Sequence, residues 1–336
     1  MACRRIAVLL ATVACFGVFS ASASAETTPV PATPAPSTTP APAPASGQVK
    51  LTFERVGGSP LFALVGRRIV VRGVVTPYVA NQSVSVGFYV DGHQMGTKLV
   101  SVLAGSAGAG RFQVGFTSKY AGLLQVRVAH AASAEQSAFS ARLGGVRYVH
   151  ADLGLGAQDE SVRLLQSELN ALHYAVPLTG VLDEGTGQAL VAYRKMTGLS
   201  RIPYAGTQVF DLLARHAGSF HVRYRGDGRH VEANLTRQVL AEIEPGGRVR
   251  KIYTTSSGKP STPTVLGRFQ VYLKTPGVNS EGMVDSNYFI RGYAIHGYPE
   301  VPTYAASHGC LRVPIPDAPA IYAWVQTGTP VDVYYE

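Results

Sequence analysis

Cys310 stands two residues after His308 in the run Ser307-His308-Gly309-Cys310-Leu311-Arg312, and a second histidine, His296, lies upstream in Ile295-His296-Gly297-Tyr298. A cysteine thiol has an ordinary pKa of about 8.5 and is a weak nucleophile until a base removes its proton. An imidazole within reach can take that proton, and the thiolate then attacks a carbonyl carbon to give a thioester. The chemistry also needs a group that fixes the tautomer of the imidazole, and N–H donors where the oxyanion forms. Either His296 or His308 can act as the base. Positions 308 and 310 face the same way if the chain is extended there, and His296 can fold back on the thiol from across a loop. Gly309 permits a sharp turn beside the thiol, and the amides of Gly309 and Cys310 can converge on one oxygen. The types and spacing are those of a cysteine acyltransferase.

Two other readings use the same residues. Two histidines and a cysteine can be three zinc ligands. However, His308-x-Cys310 is not a usual zinc pair, and Glu300 is the one acidic side chain nearby. A lone cysteine is more commonly a small buried apolar group, but glycines and histidines are poor walls for such a site. The other cysteines, Cys3 and Cys15, fall in an N-terminal leader, so Cys310 has no disulfide partner in a mature exported chain.

The elements that must position these residues follow from the rest of the chain. Its 336 residues suffice for two or three domains, and 36 glycines with 21 prolines favour loop-rich β architecture. The formal net charge of +9 draws the protein toward anionic surfaces. No nucleic-acid motif or basic run is present, so an anionic cell wall is the expected partner and nucleic acid is not.

Residues 1–25 read as a signal peptide, with Arg4 and Arg5 before an apolar run too short to span a bilayer and Ala23-Ser24-Ala25 as the cleavage site. The mature protein is therefore expected outside the cytoplasm, secreted and wall-associated, without a transmembrane segment or a lipid anchor. Residues 26–48 are a Pro/Ala/Thr-rich linker, an extended spacer. Residues 49–147 alternate apolar and polar residues in short runs such as Ser83 to Val90, which predicts an immunoglobulin-like β-sandwich. In residues 148–217 the period changes. Val162, Leu165, Leu169 and Leu172 share a helical face after Asp159 as N-cap. Asp183 caps a second helix that ends at Gly198, and Thr207 caps a short third. Residues 218–336 return to strands, with Gly246-Gly247 as a hairpin turn and a helix from Asp317 to Gly328, a mainly β, partly closed sheet.

His296-Gly297 followed by Ser307-His308-Gly309-Cys310-Leu311-Arg312 resembles the signature of the L,D-transpeptidase catalytic domain of the YkuD type. Ser256-Ser257-Gly258-Lys259, Thr262-Pro263-Thr264 before Gly267-Arg268-Phe269, and Gly328-Thr329-Pro330-Val331-Asp332-Val333 resemble it as well. Likewise Ser161 to Gln166, Leu172-His173-Tyr174 and Thr179 to Asp183, with Thr186 and Ala189, resemble a three-helix peptidoglycan-binding domain, although Tyr193-Arg194 stands where that family usually has Phe-Gln. The resemblance implies a multidomain, mainly β enzyme acting on peptidoglycan stem peptides and glycan strands without cofactor or metal. Cys310 would attack the L,D-amide before the terminal D-alanine of a tetrapeptide, and a diamino-acid amine would resolve the thioester into a 3→3 cross-link. His296 is taken as the base, oriented by the Gly297 carbonyl. His308, Gly309 and the Cys310 amide would shape the oxyanion site, and Arg312 and Ser307 would serve substrate binding. Acylation by carbapenems and resistance to penicillins come with the resemblance. Two alternatives stay open: an L,D-carboxypeptidase, in which water replaces the acceptor amine, and a catalytically silent wall-binding protein.

Overall fold

Period-two alternation produces strands wherever one face can be buried. The computed structural model describes residues 43–336, so the signal peptide and most of the linker lie outside the described residues. The first strands are β1 (Gln48–Glu54), β2 (Phe62–Leu64), β3 (Arg68–Thr76), β4 (Ser83–Val90), β5 (His93–Ser101), β6 (Leu103–Ala104), β7 (Gly110–Thr117), β8 (Gly122–His130) and β9 (Phe139–Val149). They form two sheets, ordered β1-β3-β7-β6 and β2-β9-β8-β4-β5. Ile69, Val71, Val84, Val86, Val114, Val126 and Val128 fill the space between them, as expected of a β-sandwich.

Three helices follow: α1 (Glu160–Ala171), α2 (Glu184–Met196) and α3 (Thr207–Leu213). Asp159 Oδ1 accepts from the amides of Ser161 and Val162 at 2.8 and 3.0 Å, and Asp183 Oδ1 accepts from Thr186 N at 2.8 Å. Each satisfies N–H groups that the first helical turn leaves unpaired. Thr207 is the first residue of α3 and not its cap, because Gly206 occupies that position without a side-chain bond. Tyr193 is fully buried, and Arg194 donates to Ser200 O at 2.5 Å and Tyr204 O at 2.9 Å. Both residues that depart from the family pattern thus serve the interior of the helical segment.

The remaining strands are β10 (His230–Asn234), β11 (Val239–Glu244), β12 (Arg248–Thr254), β13 (Gly267–Gln270), β14 (Leu273–Val278), β15 (Val284–Ile290), β16 (Tyr293–Tyr298), β17 (Leu311–Pro314) and β18 (Pro330–Tyr334), with helix α4 (Ala318–Trp324) after a 3-10 turn. In place of one partly closed sheet there are two, β12-β11-β10-β18-β13 and β14-β15-β16-β17. The reason is that each has an apolar face. Val231, Ala233, Val331 and Val333 of one pack in the same core as Ile295, Leu311 and Val313 of the other, closed by Ala318, Ile321 and Trp324 of α4. α4 ends at Trp324, where Val325 turns extended, short of the expected Gly328. Gly246 and Gly247, at φ +82 and +77, make the β11–β12 turn as expected.

The β11–β12 hairpin is buried on both faces. Leu240 and Tyr253 belong to the core between the two sheets. Val239, Ala241, Ile243 and Ile252 belong to another, shared with Leu165, Leu169, Leu190 and Tyr193 of the helices. The helical segment is therefore the outer layer of this sheet. Among the described residues, no helix is long and apolar enough to cross a membrane.

Candidate active site

β16 and β17 run parallel, with Ile295 opposite Leu311 and His296 opposite Arg312. Ile295 and Leu311 point into the core, so alternation turns His296, Arg312 and the adjacent Cys310 to the other face. There a cleft of about 200 Å³ is lined by His296, Tyr298, Ser307, His308, Cys310 and Arg312, with Glu281 and Met283 added from the β14–β15 turn. Six of the seven residues singled out by sequence thus line the cleft or, in the case of Gly309, sit within its turn. Gly297 packs behind His296. A Cβ at 297 would lie 2.8 Å from that of Ala318 and 3.1 Å from that of Val284, so glycine lets α4 and β15 approach the strand.

His296 is buried, with 3% of its surface exposed. Its Nδ1 lies 2.9 Å from the carbonyl oxygen of Gly297. A carbonyl only accepts, so Nδ1 carries the proton and the lone pair is on Nε2. Burial lowers the imidazole pKa to about 4; the Gly297 hydrogen bond opposes the shift and the nearby Arg312 charge adds to it. The Tyr298 ring stands edge-on to it, centroids 5.7 Å apart.

Cys310 is half-buried, and its Sγ lies 3.7 Å from Gly292 O. Burial pushes the thiol pKa up, opposed by the Ala294 backbone and the Arg312 charge. His296 is therefore a neutral imidazole near neutral pH.

Residues 308–310 bend and are not extended, yet His308 and Cys310 both line the cleft. Gly309 has φ +120, and a Cβ there would overlap the Tyr293 ring. Ser307 Oγ donates to Cys310 O at 2.6 Å and accepts from Gly309 N at 3.0 Å. The Gly309 amide, expected to point at an oxyanion, is thus held by the Ser307 hydroxyl. His308 is exposed at the rim, its Nε2 3.2 Å from Lys259 Nζ. The Arg312 guanidinium lies 4.0 Å over the Tyr298 ring. Among the described residues no group of three or more His, Cys, Asp and Glu is arranged to hold a metal ion.

The turn rests on the buried stretch from Thr255 to Ser257. Ser256 and Arg312 exchange backbone hydrogen bonds at 3.0 Å, and Ser257 O accepts from the amides of Ala306 and Ser307 at 2.8 and 2.9 Å. Lys259 N donates to Ser307 O at 2.9 Å. Gln238, itself buried, donates to Ser257 Oγ at 2.7 Å and accepts from Ser257 N at 2.9 Å. Gln238, Thr255, Tyr293 and Met283 were not apparent in the sequence as site residues. Gln238 has φ +58, but Ser257, the partner that ties it to the site, is 19 residues away and no local pattern announces it.

Residues 228–333 match the family model of the L,D-transpeptidase catalytic domain, YkuD. The solved L,D-transpeptidase of Xylanimonas cellulosilytica is 31% identical over 55% of this chain and 98% of that one, with a TM-score of 0.52. That of Stackebrandtia nassauensis is 22% identical over 55% and 95%, with a TM-score of 0.36. An L,D-transpeptidase of Mycobacterium tuberculosis is 22% identical over 32% and 57%, with a TM-score of 0.30. No curated protein matches the chain. The chain belongs to the L,D-transpeptidase family, with its YkuD-type catalytic domain at residues 228–333.

Proposed function

We propose that the chain is a peptidoglycan L,D-transpeptidase that acts outside the cytoplasm through a Cys310 thioester. The observation that carries this reading is the fixed tautomer of His296, which leaves Nε2 unprotonated on a residue that lines the same cleft as Cys310. The Cys310 sulfur attacks the carbonyl of the L,D-amide before the terminal D-alanine of a tetrapeptide stem, and its proton passes to His296 Nε2. The Cys310 amide donates to the developing oxyanion. The intermediate collapses, D-alanine leaves as its amine with the proton from His296, and a thioester remains. The amine of a diamino acid on a second stem then attacks the thioester, releasing the thiol and forming a 3→3 cross-link. Ser307 acts by holding the turn, Arg312 offers a cation to a stem carboxylate, and His308 contacts the stem at the rim.

Intact mass spectrometry of the protein with a disaccharide-tetrapeptide, beside Cys310→Ala, tests this. The expected result is a wild-type adduct lacking D-alanine, followed by a cross-linked dimer, and no adduct on the variant. An adduct that resolves only to tripeptide would assign the chain as an L,D-carboxypeptidase, and no adduct would leave the silent wall-binding reading.

A further inference from the structure

We propose that the stretch from Lys195 to Arg201 is a positioning arm for the active-site turn, so that the helical segment tunes Cys310 as well as any wall contact it makes. The proposal rests on the reading of Cys310 given above. Lys195, in the last turn of α2, is 2% exposed. Its ammonium donates to Gln238 O at 2.9 Å, Thr254 Oγ1 at 2.6 Å and Thr255 O at 2.9 Å. Three donors thus meet three acceptors, none of them a carboxylate. An apolar side chain would occupy the same space without desolvating a charge. What the amine adds is geometry: it fixes the β11 start and the end of β12 against each other. Burial lowers its pKa to about 7, with the Arg201 charge acting in the same direction.

From these acceptors the contacts run directly to the site. Thr255 N donates to Gln238 O at 3.0 Å, and Thr255 Oγ1 donates to Arg312 O at 2.7 Å. Gln238 holds Ser257, which holds the Ser307 amide. Arg201 grips the opposite side, donating to Thr303 O at 2.5 Å and Thr236 O at 3.2 Å. Thr303 lies in the loop between β16 and the Ser307 turn. One short stretch outside the matched catalytic domain therefore holds both the floor and the rim of the turn that carries Cys310.

The test uses the full chain and two readouts. Peptide-resolved iodoacetamide labelling of Cys310 reports the accessibility of the thiol whether or not the protein is an enzyme. Stem-peptide acylation reports its alignment. Lys195→Met and Arg201→Ala are compared with Leu190→Ala, which opens a hole in the same helical core, at a temperature where circular dichroism shows each folded. A loosened turn exposes the thiol and misaligns it, so Lys195→Met is expected to raise labelling at least fivefold and lower acylation at least tenfold. Arg201→Ala should move both at least threefold in the same directions, and Leu190→Ala should leave both within twofold. Labelling within twofold of wild type in both variants, or equal changes in Leu190→Ala, would overturn the proposal. Should Lys195→Met not fold, Arg201→Ala decides by the same limits. A wild-type protein that forms no adduct would overturn the transpeptidase reading, while the labelling comparison would still decide this one.

Discussion

Lowering the pH should affect His296 twice, once in stability and once in rate. The imidazole pKa is about 4 in the folded protein, against an ordinary value of 6.5. Between these values the unfolded chain binds a proton that the folded protein does not, so unfolding becomes more favourable as the pH falls. The full stability is present above pH 6.5 and is lost progressively down to pH 4. A difference of about 2.5 units at 1.36 kcal/mol each makes the loss about 3 kcal/mol. Buried carboxyls with raised pKa values, such as Glu242, act in the opposite sense over part of this range. The measured quantity is therefore a difference, the urea stability of wild type minus that of His296→Gln at pH 7, 5.5 and 4. It should shrink by about 3 kcal/mol across the series.

The rate carries the same signature. A base must be neutral to accept the thiol proton, and His296 stays neutral down to about pH 4. The acylation rate constant, followed by quenched mass spectrometry, should be level from about pH 5 to 8, with its acid limb near pH 4. Because burial raises the thiol pKa, the unassisted thiolate should not appear below the usual thiol range. An acid limb near 6.5, together with a pH-independent stability difference, would mean that His296 is neither buried as described nor the base.

Three substitutions test the turn and its support. Gly309→Ala places a methyl in the Tyr293 ring at φ +120, and acylation should fall at least a hundredfold while circular dichroism stays native. Ser307→Ala removes the hydroxyl between Gly309 N and Cys310 O, with an expected loss of about 1–2 kcal/mol in urea unfolding and roughly tenfold in acylation. Gln238→Ala leaves buried Ser257 N without its partner, and should lower stability by about 2–3 kcal/mol in urea unfolding.

The strands and helices with one buried face were legible because period and capping are local properties. The alternating runs 230–235, 238–243, 249–253 and 331–335 lie within a residue or two of β10, β11, β12 and β18, and Asp159 and Asp183 cap α1 and α2. β14 and β15 were not read as strands. Half-buried Lys274 and exposed Pro276 and Gly277 blur the alternation of the first, and the register of the pair shifts. The site was legible as a list of residues on one cleft, since Cys310, His296 and their glycines are close in sequence. Its geometry was not. Whether residues 308 to 310 extend or turn depends on Tyr293 and on the Ser307 hydroxyl, and the Gly309 amide was assigned to an oxyanion because its actual partner, two residues away, is a side chain that could equally have faced solvent.

The support of the turn was invisible for a related reason. Residues 254–257 carry four consecutive hydroxyls, Thr254, Thr255, Ser256 and Ser257, which by composition read as an exposed loop, yet all four are buried. Burying such a run costs free energy unless each group finds a partner. Here the partners are Lys195, Arg312 O, Tyr304 O and Gln238. An apolar core tolerates volume-conserving substitutions because its contacts are non-directional. Hydrogen bonds fix distance and angle, and a missing one leaves its partner stranded. The floor beneath Cys310 is built of the second kind of contact, and its members come from α2, the residue before β11, the end of β12 and the stretch after it, and β17. Small changes in any of them should therefore register at the thiol as well as in the melting temperature.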